Sequence, residues 1–337
     1  MRTRSVGFAA VTIAAMSLVA GAAAGQSRWS PPRTPWGDPD LQGAFTNKDE
    51  QGIPFERPAE FGDRTLVTDE EFAARLARAK QQLDSDVAEF DAETADRSPA
   101  QIGFTTGPPP YWNDRGKPSR RSSLVIDPPD GKIPSTTPEG QRQMDARASA
   151  RAEARRGRAP ADSWEDLSLF NRCISRGFPG SMLPTVYGNS HRIIQGKGFV
   201  AIQNEMIHET RIIPLDGRPH LSPHLRQFMG DGRGRWEGNT LVVETTNFRP
   251  ELVYRNANAD TLRTIERFTR TAPDKVEWSV TVSDPSTWSK PWTFAVSLTQ
   301  DASQAVFEFA CHEGNYAMKN LLSAARAEEK AAERVSK

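Results

Sequence analysis

The second half of the chain takes on a period-two pattern of apolar and polar residues, and this pattern restricts the fold more than any other feature. The clearest run places apolar Val276, Trp278, Val280 and Val282 at alternate positions, as a strand with one buried face requires. Runs of this kind, separated by turn residues, predict eight or nine strands among 191–195, 199–203, 206–213, 233–236, 240–247, 262–270, 275–283, 292–299 and 305–311. We therefore expect a mainly β domain over 191–319, an antiparallel meander curled into a lipocalin-like barrel that hides its strand edges.

The preceding segment, residues 26–190, is rich in proline, and we expect it to wrap the barrel rather than fold by itself. Two helices are predicted within it. One, near 68–93, begins with a capping box formed by Thr68 and Glu71. The other, near 137–156, begins with Thr137 as cap and a proline in its first turn. Residues 320–337 are predicted to form a polar helix or tail.

The first 25 residues have the pattern of a secretory signal: a basic start, an apolar core from Val6 to Ala20 and a cleavage site near Ala24. The alternative is a membrane anchor, which needs about 20 apolar residues. No later segment is apolar enough to span a bilayer. We expect a mature protein in the periplasm or secreted, without a membrane span.

The number of cysteines and the balance of charges indicate the state of the thiols and the kinds of partner to expect. The two cysteines, Cys173 and Cys311, are expected to form one disulfide in an oxidising compartment, with two buried free thiols as the alternative. Lys plus Arg and Asp plus Glu each number 43, and this balance argues against a nucleic-acid partner.

Residues that can carry chemistry crowd into positions 204–248, which hold His208, His220 and His224, three of the five histidines. Polar groups threaded among short strands are typical of a site on a sheet scaffold. The sequence contains no phosphate loop, dinucleotide fingerprint, nucleophile elbow or zincin helix, so no sequence motif identifies the type of reaction.

Strand alternation assigns faces to two of these side chains. In the predicted strand 206–213, His208 shares a face with Met206 and Ile212, which we assign to the barrel interior. His208 is there either a hydrogen-bonded core residue or a catalytic acid or base. Arg211 lies on the opposite face, where it either pairs with a nearby glutamate or clamps a substrate.

His312 is the strongest single candidate for proton transfer, because the disulfide at Cys311 would hold it rigidly at the end of the last predicted strand. Asp231 is expected to be catalytic as an orienting carboxylate, with a structural ion pair as the alternative. Asn247 is expected either to contact a substrate or to cap a strand end, and Trp236 and Trp278 are expected either to contact a substrate or to belong to the core. Substrate contacts are predicted for Asn247, Arg233, Arg211, His220, Trp236 and Trp278.

Three functions fit this pattern. The first is a cofactor-independent lyase, isomerase or hydrolase that uses His312 and His208 on a small apolar or aromatic molecule in a barrel pocket. The second is a non-catalytic carrier of a hydrophobic small molecule. The third is a metal-dependent hydrolase built on His220, His224, His208 and Asp231, although no spacing in the sequence favours a metal site.

Several long motifs resemble a widespread family of signal-bearing, mostly uncharacterised bacterial proteins. They are RSSLVIDPPDGKIP from Arg121, EMIHETRIIPLDGRPHL from Glu205, GDGRGRWEGNTLVVETTNF from Gly230, DPSTWSKPWT from Asp284 and FACHEGNY from Phe309. The family pattern has serine at the position of Gly232 and an asparagine-rich run in place of 187–191. The resemblance implies export and a shared fold, and it assigns no catalytic role to any residue.

Overall fold

The computed structural model describes residues 29–88, 113–154, 161–301 and 306–335, so the predicted signal peptide lies outside the described residues. Within the described residues, no helix is both long and apolar enough to cross a membrane. The helices are α1 Asp69–Ala88, α2 Pro138–Ala154 and α3 Ala317–Val335. The strands are β1 Gly43–Thr46, β2 Val125–Asp127, β3 Ser190–Gly196, β4 Phe199–Asn204, β5 Thr210–Pro214, β6 Asp231–Glu237, β7 Thr240–Thr246, β8 Arg263–Ala272, β9 Lys275–Ser283 and β10 Trp292–Thr299.

The strands form one antiparallel sheet in the order β5-β4-β3-β1-β10-β9-β8-β7-β6, with β2 added beside β10. Nine alternating strands leave the two edge strands, β5 and β6, running in the same direction. Their side chains meet: a Cβ placed on Gly234 of β6 would lie 2.9 Å from Ile213 Cγ2 of β5. The sheet therefore curls into a barrel-like shape that is not closed by hydrogen bonds, which confirms the predicted fold class.

The amino-terminal half also contributes a strand, which the sequence pattern did not predict. β1 lies between β3 and β10, and Phe45 pairs with His191 across the β1–β3 ladder. A four-residue strand has too few positions to show a period. The segment before the barrel thus both wraps the sheet and completes it.

Both predicted helix starts are present. Thr68 Oγ1 accepts from the Glu71 amide at 3.2 Å, and the Glu71 carboxylate accepts from the Thr68 amide at 2.7 Å. Thr137 Oγ1 accepts from the Gly140 amide at 2.9 Å. The predicted ends of these helices at 89–93 and 155–156 lie outside the described residues, and the segment from 320 onward belongs to α3.

Aromatic side chains fill the interior of the barrel. Trp278 of β9 has no exposed surface and lies 5.6 Å from Phe294 of β10, 6.2 Å from Phe268 of β8 and 6.4 Å from Phe178, measured between ring centroids. Edge-to-face and stacked rings of this kind add to the stabilisation from their buried area. Trp278, which we expected to contact a ligand, is therefore surrounded by core side chains.

Two predicted strands were wrong. The run 206–213 begins instead with a 3-10 turn over Met206–His208, and β5 starts only at Thr210. The turn reverses the predicted phase, so that Arg211 and Ile213 are buried while Ile212 is exposed. At the other end, residues 306–311 form no strand, and β10 is the last strand of the described sheet.

Candidate functional site

A strained turn between β4 and β5 presents the first group of candidate side chains. Ile207 and His208 both have left-handed backbone conformations, with φ of 61° and 47°. A β-branched residue is rarely found there, and such strain concentrates at functional sites. Burial of Met206 and Ile207 and the hydrogen bond from the Asn204 amide to the Glu209 carbonyl, 3.0 Å long, hold the turn in place.

His208 is exposed on this turn and lines a cavity of about 370 Å³. Its Nδ1 lies 3.4 Å from the Phe309 carbonyl oxygen, a long hydrogen bond in which the ring nitrogen must be the donor, since a carbonyl only accepts. That tautomer leaves Nε2 with a lone pair able to take up a proton. The side chain was predicted to face the barrel interior, but the turn places it on the outside.

The two glutamates that flank the turn have perturbed acidities. Burial raises the pKa of Glu205, although the Ser190 amide donates to its carboxylate at 3.1 Å. Burial also raises the pKa of Glu209, whose two oxygens accept from Ser175 Oγ at 2.8 and 2.9 Å. Glu205 lines the same cavity as His208. A carboxyl group with a raised pKa keeps its proton to a higher pH than an ordinary carboxyl group, which favours a role as a general acid.

A buried histidine supports the cavity from behind. His191 of β3 has a pKa lowered to about 4, first of all because it is fully buried. Its Nδ1 lies 3.0 Å from Asn204 Oδ1, and its Nε2 lies 3.2 Å from Asn47 Nδ2. A neutral ring that donates from Nδ1 and accepts at Nε2 satisfies both contacts. Asn204 itself lines the cavity, so His191 fixes one of its wall residues.

The outer wall of the cavity is held by the predicted disulfide, which is confirmed. Cys173 and Cys311 are bonded, across a sequence separation of 138 residues. The bond anchors the segment just after Val306, Phe307 and Glu308, which line the cavity. The remaining members of the lining are Arg192, Gln203, Asn204, Glu205 and His208.

His312 lies elsewhere. It is exposed and lines a different cavity, of about 330 Å³, with Trp164, Arg172 and Met318 among its neighbours. The cavities of His208 and His312 share no lining residue. The two histidines that the sequence suggested as partners in proton transfer are thus placed in separate depressions of the surface.

A second group of predicted residues does come together, where the loop 215–230 lies against β6 and β7. His220 Nδ1 donates to the buried Asp231 carboxylate at 3.0 Å, and its Nε2 lies 3.6 Å from Glu244 Oε1. Arg233 pairs with Asp231 at 2.6 Å, and Arg263 pairs with Glu244 at 2.5 Å. The result is a continuous set of polar contacts, from Arg233 through Asp231, His220 and Glu244 to Arg263, that fastens the loop to the sheet.

Asn247 and Trp236 belong to the surroundings of this second group. Asn247 has a left-handed backbone just after β7, and its amide donates to the carbonyls of Leu221 and Ser222 at 2.9 and 3.2 Å. Both of its N–H groups therefore hold the loop. Trp236 of β6 is partly buried and packs against the hydrophobic core.

Arg211 also points inward. Its guanidinium donates to both oxygens of Glu266 at 2.9 and 2.5 Å and lies 4.3 Å from the centre of the Phe178 ring. Trp278 Nε1 donates to the same carboxylate at 3.1 Å. The expected pairing with a nearby glutamate is thus replaced by a pair with a glutamate of β8.

Among the described residues, no group of three or more His, Cys, Asp and Glu side chains is arranged to hold a metal ion. At His220 the reason is geometric, because Asp231 and Glu244 face opposite nitrogens of the ring. Sequence reasoning named His208 but missed Glu205 and Arg192, which line the same cavity, and His191, which is hydrogen-bonded to the cavity residue Asn204. One sequence feature could have indicated the acidic part of this site: Glu205 and Glu209 lie on either side of His208.

Comparison with known proteins identifies no family. No family model and no curated protein matches the chain, so the resemblance to secreted bacterial proteins stays a prediction. One solved structure that the chain matches is a secretary abundant heat soluble (SAHS) protein from Ramazzottius varieornatus, at 13% identity and a TM-score of 0.24. The match covers 40% of this chain and 87% of that chain. At these values the likeness implies nothing about activity.

Proposed function

We propose that this protein is a cofactor-independent acid/base enzyme acting on a small apolar or aromatic molecule in the cavity beside the Glu205–His208 turn. One observation carries the proposal. The same cavity is lined by an imidazole whose Nδ1 faces a carbonyl and by a carboxyl group whose pKa is raised by burial. A base and an acid at one small cavity are what a lyase or isomerase step requires.

In this mechanism His208 Nε2 takes a proton from the substrate, and Glu205 returns one to the leaving or rearranging atom. The left-handed turn fixes the two side chains relative to each other, as proton transfer demands. Asp231 and His312, which the sequence suggested as catalytic, line neither wall of this cavity. They have no role in the proposed reaction.

The same proposal includes export to the periplasm or beyond the cell. A disulfide is compatible with an oxidising compartment, and the pattern of the first 25 residues is that of a signal peptide. Purification from a periplasmic fraction with a mature start near Ala24 would support this part.

The catalytic proposal is tested by screening the protein against small esters, lactones and unsaturated acids, with NMR detection of products. We expect turnover by the native protein and a loss of about 10²–10⁴-fold in kcat for His208→Gln and for Glu205→Gln. His224→Gln is the matched control, since His224 is exposed outside the cavity. Unchanged turnover in both cavity variants would refute the mechanism. A ligand bound and released intact would favour the carrier.

A further inference from the structure

The cavity beside His208 contains a positive charge, on Arg192, that has no ion-pair partner among the described residues. Arg192 of β3 lines the cavity and makes no ion pair with any residue that the structure describes. Across the β3–β4 ladder it is paired with Gln203, whose amide also lines the cavity. Glu308 lies on the same lining but forms no ion pair with Arg192. A guanidinium and an amide side by side present a set of donors that suits a carboxylate.

A second guanidinium lies behind the wall. Arg176 is largely buried, and among the described residues its Nη1 has no hydrogen-bond partner. Burial lowers the pKa of Arg176, and its charge in turn contributes to the lowered pKa of His191. His191 is hydrogen-bonded to the cavity residue Asn204. A buried cation without a carboxylate is costly, and an anion bound nearby would offset part of that cost.

One part of the cavity lining is apolar, at Val306 and Phe307. Phe307 is 63% exposed, although a phenyl ring usually avoids water. It lies on the wall anchored by the disulfide, and its neighbour Val306 also lines the cavity. A ligand that covered this ring would bury apolar surface that the protein leaves in contact with water.

We propose that the substrate is a small apolar carboxylic acid whose carboxylate lies against Arg192 and whose hydrocarbon part lies against Phe307. The inference rests on the proposed function for its description of the ligand as a substrate. The binding preference itself does not depend on catalysis.

The test compares benzoate and hexanoate with their primary amides by calorimetric titration of the full mature protein. We expect each acid to bind at least tenfold more tightly than its amide, and this preference to vanish in Arg192→Gln. Lys197→Gln is the matched control, because Lys197 is an exposed cation in the turn of the same β3–β4 hairpin and does not line the cavity. Phe307→Ala is expected to weaken acid and amide equally.

Equal affinities for acid and amide, no binding of either acid, or a preference that survives in Arg192→Gln would each overturn the inference. The His208→Gln variant separates this result from the proposed function. An acid preference that persists in His208→Gln while turnover is lost supports both proposals. An acid preference without turnover of any screened acid supports the binding site and contradicts the enzyme.

Discussion

Arg211 of β5 and Glu266 of β8 form a two-point ion pair inside the barrel, with Trp278 Nε1 donating to the same carboxylate. The pair connects an edge strand to a strand on the far part of the sheet path. Both side chains are almost fully buried. The ion pair therefore ties the edge strand β5 across the interior to β8, which lies two strands away from the other edge, β6.

Removing one member of this pair is expected to destabilise the fold strongly. Arg211→Met leaves the Glu266 carboxylate buried without its cation, which costs about 3–5 kcal/mol. The double variant Arg211→Met with Glu266→Leu should recover much of that loss, because an apolar pair needs no charge compensation. Urea unfolding of the three proteins measures the difference. Equal stability of the native protein and Arg211→Met would contradict the assigned role.

Gly230 is expected to be intolerant of a side chain. Its φ is +69°, and a Cβ there would lie 2.5 Å from Thr245 Cγ2 and 2.8 Å from the Thr246 carbonyl oxygen. Gly238 has a φ of +61° but open space around the added atom, so it provides the control. Gly238→Ala should cost about 1–2 kcal/mol for the left-handed backbone alone. Gly230→Ala should cost clearly more in the same unfolding experiment, and a smaller cost would show that the loop can shift.

His191 predicts a specific dependence of stability on pH. Its pKa is about 4 in the folded protein and 6.5 in its ordinary state. Between these values the unfolded chain binds a proton that the folded protein does not, so acidification from pH 6.5 to 4 favours unfolding. The full effect is about 3 kcal/mol.

The measurement for His191 is the free energy of unfolding at several pH values, in the native protein and in His191→Gln. Glutamine keeps one donor and one acceptor but does not titrate. Glu205 and Glu209, whose pKa values are raised, act in the opposite direction and are common to both proteins. The native protein should therefore lose more stability on acidification than the variant. Parallel curves would mean that His191 is not the buried neutral group described.

The Glu205 carboxylate is expected to lower the free energy of unfolding at neutral pH. Because its folded pKa is raised, its contribution to stability is present at low pH and is lost as pH rises through the ordinary value of 4.5 towards the folded pKa. Glu205→Gln should thus raise the free energy of unfolding at pH 7 by less than about 1 kcal/mol, because solvent screens a half-buried group, and the melting temperature should rise slightly. A lower melting temperature would indicate that the carboxylate serves the fold instead.

Most of the sheet could be predicted from the sequence, because a long strand with one buried face shows a clear period-two pattern of apolar residues. The boundaries of β9 and β10 agree with the predicted 275–283 and 292–299. β1 was missed, since its four residues pair with strands far along the chain and carry no local signal. The predicted strand 305–311 was wrong, because its described residues, 306–311, form no strand and lie next to the disulfide instead.

The candidate site was only partly predictable for a related reason. Strand alternation placed His208 inside the barrel, and two left-handed residues in a row broke that alternation. The residue types gave little warning of this turn, because a β-branched residue such as Ile207 is rarely found in the left-handed region and histidine is only moderately enriched there. Arg192 and Glu205 are ordinary charged residues in the sequence, and only the fold brings them to one cavity with His208.

The most direct test of the central claim is NMR chemical-shift mapping with a compound that the protein turns over. If the cavity beside the Glu205–His208 turn is the active site, the perturbed amides will centre on Arg192, Gln203 to His208 and Val306 to Glu308. Perturbations centred instead on His220, Asp231 and Glu244 would contradict the account and move the chemistry to the second cluster.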